Sequence, residues 1–226
     1  MNKKVLCVAV HADDETLGCG GTLLKHITQG DEVYWLLLTG PTLNHPHNFT
    51  EEHITKRALR VENVAKKMGV KLIYLEFPTQ LLHALDLRDM IKKIDAVIKE
   101  VQPNIIYTMF SNDVHSDHRF AFDALYSCTK SFRKPFIEAI YMMETLSETE
   151  FAPALPSTSF IPNVYVDISP YMEKKLEIMK LYESEIMDEP YPRSLSTIEA
   201  LARVRGSRCG VKYAEAFMLL YEKITL

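Results

Sequence analysis

The chain has 226 residues, 47% of them hydrophobic and 25% charged, with a formal net charge of −4. Such a chain buries roughly 70–75% of its unfolded surface, and one domain spanning 1–226 is the simplest organisation it predicts. The slight acidity gives no general pull toward nucleic acid or an anionic membrane surface, so neither is an expected partner. No stretch reaches the roughly eighteen apolar residues that a bilayer span needs. The apolar run after Lys3 and Lys4 is too short for a signal-peptide core and no small-residue cleavage site follows it, so the expected location is cytoplasmic. Cys7, Cys19, Cys128 and Cys209 form no Cys-x-x-Cys pair. They predict buried thiols rather than a disulfide framework or a thiolate metal site.

Residues 5–10 are a continuous apolar run, as a strand covered on both faces requires. The run ends directly in His11-Ala12-Asp13-Asp14-Glu15-Thr16-Leu17-Gly18-Cys19-Gly20-Gly21. A helix is expected over 20–29 with Leu23, Leu24 and Ile27 inward, stopped by Gly30. Residues 33–38 form a second strand closed by Thr39-Gly40-Pro41. Residues 42–49 read as a loop beside the site, and His45, His47 and His53 as ordinary surface histidines. The acidic pair Glu51-Glu52 opens a helix that runs to Gly69. A third strand covers 71–77, and 87–101 is an amphipathic helix with Met90, Ile91, Ile94, Val97 and Ile98 inward. A fourth strand over 105–110 leads into Asn112-Asp113-Val114-His115-Ser116-Asp117-His118 and a helix over 119–128. Further on, 137–143 reads as a strand, 146–162 as an irregular segment on the substrate side, and 163–168 as another strand. Ser169-Pro170 opens a helix over 171–185, a further helix covers 196–204, and 213–221 finishes the chain. Strands and helices alternating in this way predict an α/β fold, a Rossmann-like, mostly parallel sheet with helices on both faces.

The chemistry concentrates at two strand ends. His11 and Asp14, three residues apart on a tight turn, converge on one metal ion and leave Asp13 pointing at whatever that ion holds. A catalytic zinc commonly takes three protein ligands and keeps a fourth position open, and the cluster after the fourth strand supplies the missing one. The glycines do not make a nucleotide site. Gly18-Cys19-Gly20-Gly21-Thr22-Leu23 has Leu where the third glycine of the fingerprint belongs, and Leu38-Thr39-Gly40 offers no acid after the second strand. Close helix–sheet packing explains them better.

The two motifs, with Gly18-Cys19-Gly20-Gly21-Thr22, the helix over 55–69, Val164-Tyr165-Val166-Asp167-Ile168 and Tyr213-Ala214-Glu215-Ala216-Phe217, resemble the LmbE/PIG-L family of metal-dependent N-acetylglucosaminyl deacetylases. Two spacer positions depart from the family, Ala12 and Ser116 standing where it usually has proline. The resemblance implies a Zn²⁺ ion on His11, Asp14 and His118, a donor set that also accepts Fe²⁺ or Co²⁺. It implies that Asp13 is the general base for a metal-activated water, that His115 stabilises the tetrahedral oxyanion, and that Asp117 holds His115 protonated or oriented. Arg57 matches a residue linked to sugar hydroxyls or a phosphate, and Glu15 supports the ligands from behind. The implied substrate is a small acetylated amino sugar, and the implied assembly a homo-oligomer in which Arg133 is a candidate to reach a neighbour's pocket. Three alternatives stand beside this reading: an amidase for a larger glucosaminyl conjugate, a non-catalytic sugar- or nucleotide-binding protein, and a metal-dependent phosphoesterase using Asp113 and Asp117 for a second ion.

Overall fold

The computed structural model describes residues 2–43 and 45–224. Seven strands form one sheet: β1 (Lys4–Ala9), β2 (Glu32–Gly40), β3 (Lys71–Pro78), β4 (Ile105–Thr108), β5 (Ala139–Met143), β6 (Val164–Asp167) and β7 (Ala214–Glu222). Their order across the sheet is β3-β2-β1-β4-β5-β7-β6. β1 to β5 run parallel, and β7 runs antiparallel to both of its neighbours. The closing strand is therefore inserted antiparallel between β5 and the edge strand β6 of a mostly parallel sheet.

The helices are α1 (Asp14–Thr28), α2 (Glu51–Met68), α3 (Leu87–Val101), α4 (Ser116–Ser127), α5 (Met172–Met179) and α6 (Leu195–Cys209). Successive side chains of a strand point to opposite faces, and β1 shows the result. Val5, Cys7 and Ala9 join the core under α1, α2, α5 and α6, while Leu6, Val8 and Val10 join the core under α3 and α4. Burial on both faces is why β1 carries no polar residue between Val5 and Ala9.

Local chemistry sets the helix ends. Thr50 caps α2 by accepting the His53 N–H, and Gly69 closes it at φ 89°, a conformation that favours glycine. α1 begins at Asp14, six residues before the expected start, because Asp13 acts as its N-cap residue and the acids Asp14 and Glu15 suit a first turn. α5 is shorter than the 171–185 expected, and Tyr171 rather than Ser169 stands at its N-cap. Ser169 instead bonds Asp167. Past Met179 the chain turns so that Tyr182 is fully buried and its hydroxyl donates to Glu15 at 2.7 Å.

The glycines of α1 do bring helix and sheet together. A Cβ on Gly18 would lie 2.6 Å from the Met143 sulfur, and one on Gly21 2.7 Å from Ile168. Cys7, Cys19 and Cys128 are buried as expected, whereas Cys209, at the exposed end of α6, is not. No helix among the described residues is long and apolar enough to cross a membrane.

Candidate active site

Strand order reverses between β1 and β4, and a parallel sheet opens a crevice at such a point. The two motifs meet there. His11 and Asp14 come from the turn after β1, His115 and His118 from the start of α4, beside a cavity of about 560 Å³.

The ligand atoms of His11, Asp14 and His118 lie within 4.8 Å of one another. His118 Nε2 is 3.3 Å from His11 Nδ1 and 3.3 Å from Asp14 Oδ2, and His11 Nδ1 is 4.0 Å from the same oxygen. Ligands about 2.0–2.1 Å from a tetrahedral zinc would stand about 3.3 Å apart, so two imidazoles and one carboxylate at these distances fit a divalent ion. A second group, His11 with His115 and Asp117, is as close; the Asp117 oxygens accept the backbone N–H groups of Gln80 and Leu82, as Asp14 Oδ2 accepts those of Val10 and His11.

Each of the three groups is held from behind. The other nitrogen of His118, Nδ1, is 2.8 Å from Asp113, whose second oxygen accepts the Thr149 hydroxyl at 2.7 Å. The other nitrogen of His11, Nε2, faces Asp117 at 3.4 Å. Asp14 accepts the backbone N–H groups of Val10 and His11. Carboxylates behind imidazoles fix ring orientation and tautomer and raise ligand basicity. Burial alone would lower the His118 pKa, but Asp14 and Asp113 together hold it well above the ordinary value. Burial would likewise raise Asp14, and the His118 imidazole outweighs that and keeps it below the usual carboxylate range.

Asp13 sits between this cluster and the cavity with φ 152°, a strained backbone angle for a residue other than glycine. Burial, Asp14 and Glu185 push its carboxyl well above the ordinary range, against Arg193 and Arg57. Arg193 donates to Asp13 at 3.3 Å. Arg57 donates to the Ala12 carbonyl at 3.0 Å and to Glu185 at 2.8 Å, so it braces the turn that carries His11 and Asp14 as well as lining the cavity.

His115 and Asp117 are arranged differently from expectation. Asp117 reaches His115 through its backbone N–H, which donates to Nδ1 at 3.1 Å and makes His115, not Asp117, the N-cap of α4. The Asp117 carboxylate serves His11 instead. Burial and the neighbouring His11 and His118 rings lower the His115 pKa to about 4, so its ring is neutral, with Nδ1 accepting and Nε2 left as the donor.

Residues 6–129 match the PIG-L family, described as GlcNAc-PI de-N-acetylase. The chain belongs to this family. Diacetylchitobiose deacetylase of Thermococcus kodakarensis is 29% identical over 220 residues, which is 94% of this chain and 81% of that protein. Among solved structures, N,N′-diacetylchitobiose deacetylase from Pyrococcus horikoshii superposes with a TM-score of 0.76 at 23% identity, covering 96% of this chain and 84% of that one. GalB, the 4-carboxy-2-hydroxymuconate hydratase of Pseudomonas putida KT2440, reaches the same TM-score at 16% identity over 99% of this chain and 98% of that one. A hydratase on this fold shows that the fold alone does not choose the reaction. Membership of the PIG-L family makes the chain a metal-dependent N-deacetylase, a hydrolase.

Several residues around the PIG-L motifs escape sequence reasoning. Asp113, weighed for a second ion, backs His118 instead. Arg193 and Glu185 arrive from residues 180–194, which carry no motif at all. Glu215 crosses the molecule to accept the N–H groups of Gly21 and Thr22, just after α1 breaks from helical geometry at Cys19, and pairs with buried Lys175 at 2.7 Å. His45 is a buried pin rather than a surface residue, 2.7 Å from the Thr79 carbonyl.

Proposed function

We propose that the protein is a zinc-dependent hydrolase that removes the N-acetyl group from an N-acetylglucosamine-type sugar or glycoconjugate. The observation that carries this is the His11, Asp14 and His118 donor set at tetrahedral spacing with Asp13 beside it but outside it. A divalent ion held by these three residues would lower the pKa of a water toward about 7 and polarise an amide carbonyl. Asp13 accepts the proton of the attacking water and later hands it to the departing amine. Asp13, raised by burial, would be held ionised for that task by a divalent cation on His11, Asp14 and His118. His115, neutral with Nε2 as donor, offers a hydrogen bond to the oxyanion of the tetrahedral intermediate. Arg57 and Arg193 hold the loop and the base in place from the Glu185 side. The acetylated sugar comes from the named activities of the relatives.

The test is acetate release by metal-loaded and chelated protein from N-acetylglucosamine, N,N′-diacetylchitobiose, an N-acetylglucosaminyl malate and a UDP-linked N-acetyl sugar. Release that requires the metal supports the reading. No release from any of them, with one metal bound per chain, would reject acetyl as the group removed.

A further inference from the structure

One side of the cavity carries charges that this chemistry leaves unused, apart from Arg57. His53, Lys56, Arg57 and Arg60 are spaced i, i+3, i+4 and i+7 on α2, so they share one helix face, and all four line the cavity that reaches His11 and Asp14. The guanidiniums nearer the base are already engaged. Arg57 pairs with Glu185, and Arg193 with Asp13 and Glu185. Arg60 is not. It donates to the Ser184 hydroxyl at 2.7 Å and makes no ion pair among the described residues. Among the described residues Lys56 pairs only with Glu52, and these side chains are 68% and 72% exposed, an arrangement that holds charges loosely. Glu148 also lines the cavity, without an ion pair to either cation.

A charged helix face is usually just solvated, and two features set this one apart. It lies in a concave site, where a cleft concentrates the field of its charges, and it is cationic on a chain whose net charge is −4. Of the four acids lining the cavity, Asp13 and Glu185 are held by Arg57 and Arg193, Asp14 faces the His11 and His118 rings, and Glu148 pairs with neither Lys56 nor Arg60 among the described residues. A free guanidinium beside an ammonium matches the paired oxygens of a carboxylate or phosphate, the guanidinium as a fork and the ammonium as a point charge.

We infer that Lys56 and Arg60 form an anion subsite, so that the substrate is an N-acetylamino sugar whose aglycone carries a carboxylate or a phosphate rather than a neutral oligosaccharide. This rests on the deacetylase reading above. Acetate release is compared for N,N′-diacetylchitobiose, N-acetylglucosamine 1-phosphate and N-acetylglucosaminyl malate. The proteins are the metal-loaded wild type, the double variant Lys56→Gln/Arg60→Gln, and Lys66→Gln/Lys67→Gln, which removes the same charge from outside the cavity. The wild type should favour one acidic sugar in kcat/KM by about tenfold or more, as one charge-assisted contact supplies. The Lys56/Arg60 variant should lose that preference through KM, and the Lys66/Lys67 variant should keep it. The better acidic sugar distinguishes phosphate from carboxylate. Equal use of the neutral sugar, or a preference that survives Lys56→Gln/Arg60→Gln, overturns the inference. Calorimetric binding of glucosamine 1-phosphate, glucosaminyl malate and chitobiose separates the two readings. Selective binding of an acidic product through Lys56 and Arg60, without acetate release from any sugar, supports the subsite and rejects the deacetylase. Neither release nor selective binding rejects both.

Discussion

Every group in the metal-ligand cluster has a buried partner behind it, whereas on the α2 side of the same cavity Lys56 and Arg60 have only Glu52 and a serine hydroxyl. The first region is over-determined. His118, Asp113 and Asp14 are at most 2% exposed, and their positions follow from strand ends and helix caps. The second is held loosely enough to exchange its partners for a ligand. The difference teaches where to look for each property: the proposed chemistry draws on the rigid cluster, and the proposed choice of substrate on the charges left without a buried partner.

On that contrast, substitutions in the buried pairs disturb stability or metal binding, and substitutions of Lys56 and Arg60 on α2 disturb neither. The largest effect belongs to Glu215→Gln. It removes the charge facing Lys175 in the dry core beside the break in α1, and stranding one member of a buried pair costs about 3–5 kcal/mol. At about 2–4 °C per kcal/mol for a chain of this size, a thermal melt should fall by roughly 10 °C. Next is Asp113→Asn, which weakens the hold on His118 and should lower metal affinity by about 10–100-fold in a competitive chelator titration while leaving the fold intact.

A smaller effect depends on pH. Burial pushes the Glu148 carboxyl from 4.5 to about 7 in the folded protein. A group whose folded pKa is raised gives its full stability below the unfolded value and loses it as pH rises through the folded one. Metal-free protein should therefore lose stability between about pH 4.5 and 7 through this residue. Glu148→Gln should melt higher than wild type at pH 8 and equally at pH 4.5, a difference that thermal melts in chelator would show. The smallest effect is expected for Arg60→Gln, whose melting temperature should match wild type, because a single hydrogen bond to an exposed serine is replaced by water.

The cluster was legible because its ligands lie within two short motifs that follow strands, and strand, motif and helix each leave a local pattern. α3 was legible for the same reason: its apolar period marks residues 87–101, and the structure adds the Asp86 side chain as its N-cap. Patterns that depend on distant partners were not. The periodicity of 171–185 continues past Met179, yet the helix ends there and the Tyr182 hydroxyl meets Glu15, 167 positions away. Arg193 carries no local sign of its role, and Glu215 stands in a segment shared with the family whose sequence does not say what it holds, since the partners of both lie at the opposite end of the chain. Asp117 was read toward its neighbour His115, but the fold turns its carboxylate to His11, 106 positions away.

The most direct test of the central claim is Asp13→Asn, assayed for both metal content and acetate release. Asp13 stands beside the ligand set without joining it, so the variant should keep one metal per chain and lose about 10²–10⁴ in kcat, the contribution of a positioned general base. A variant that deacetylates at the wild-type rate, or that loses its metal along with its activity, would contradict the assignment.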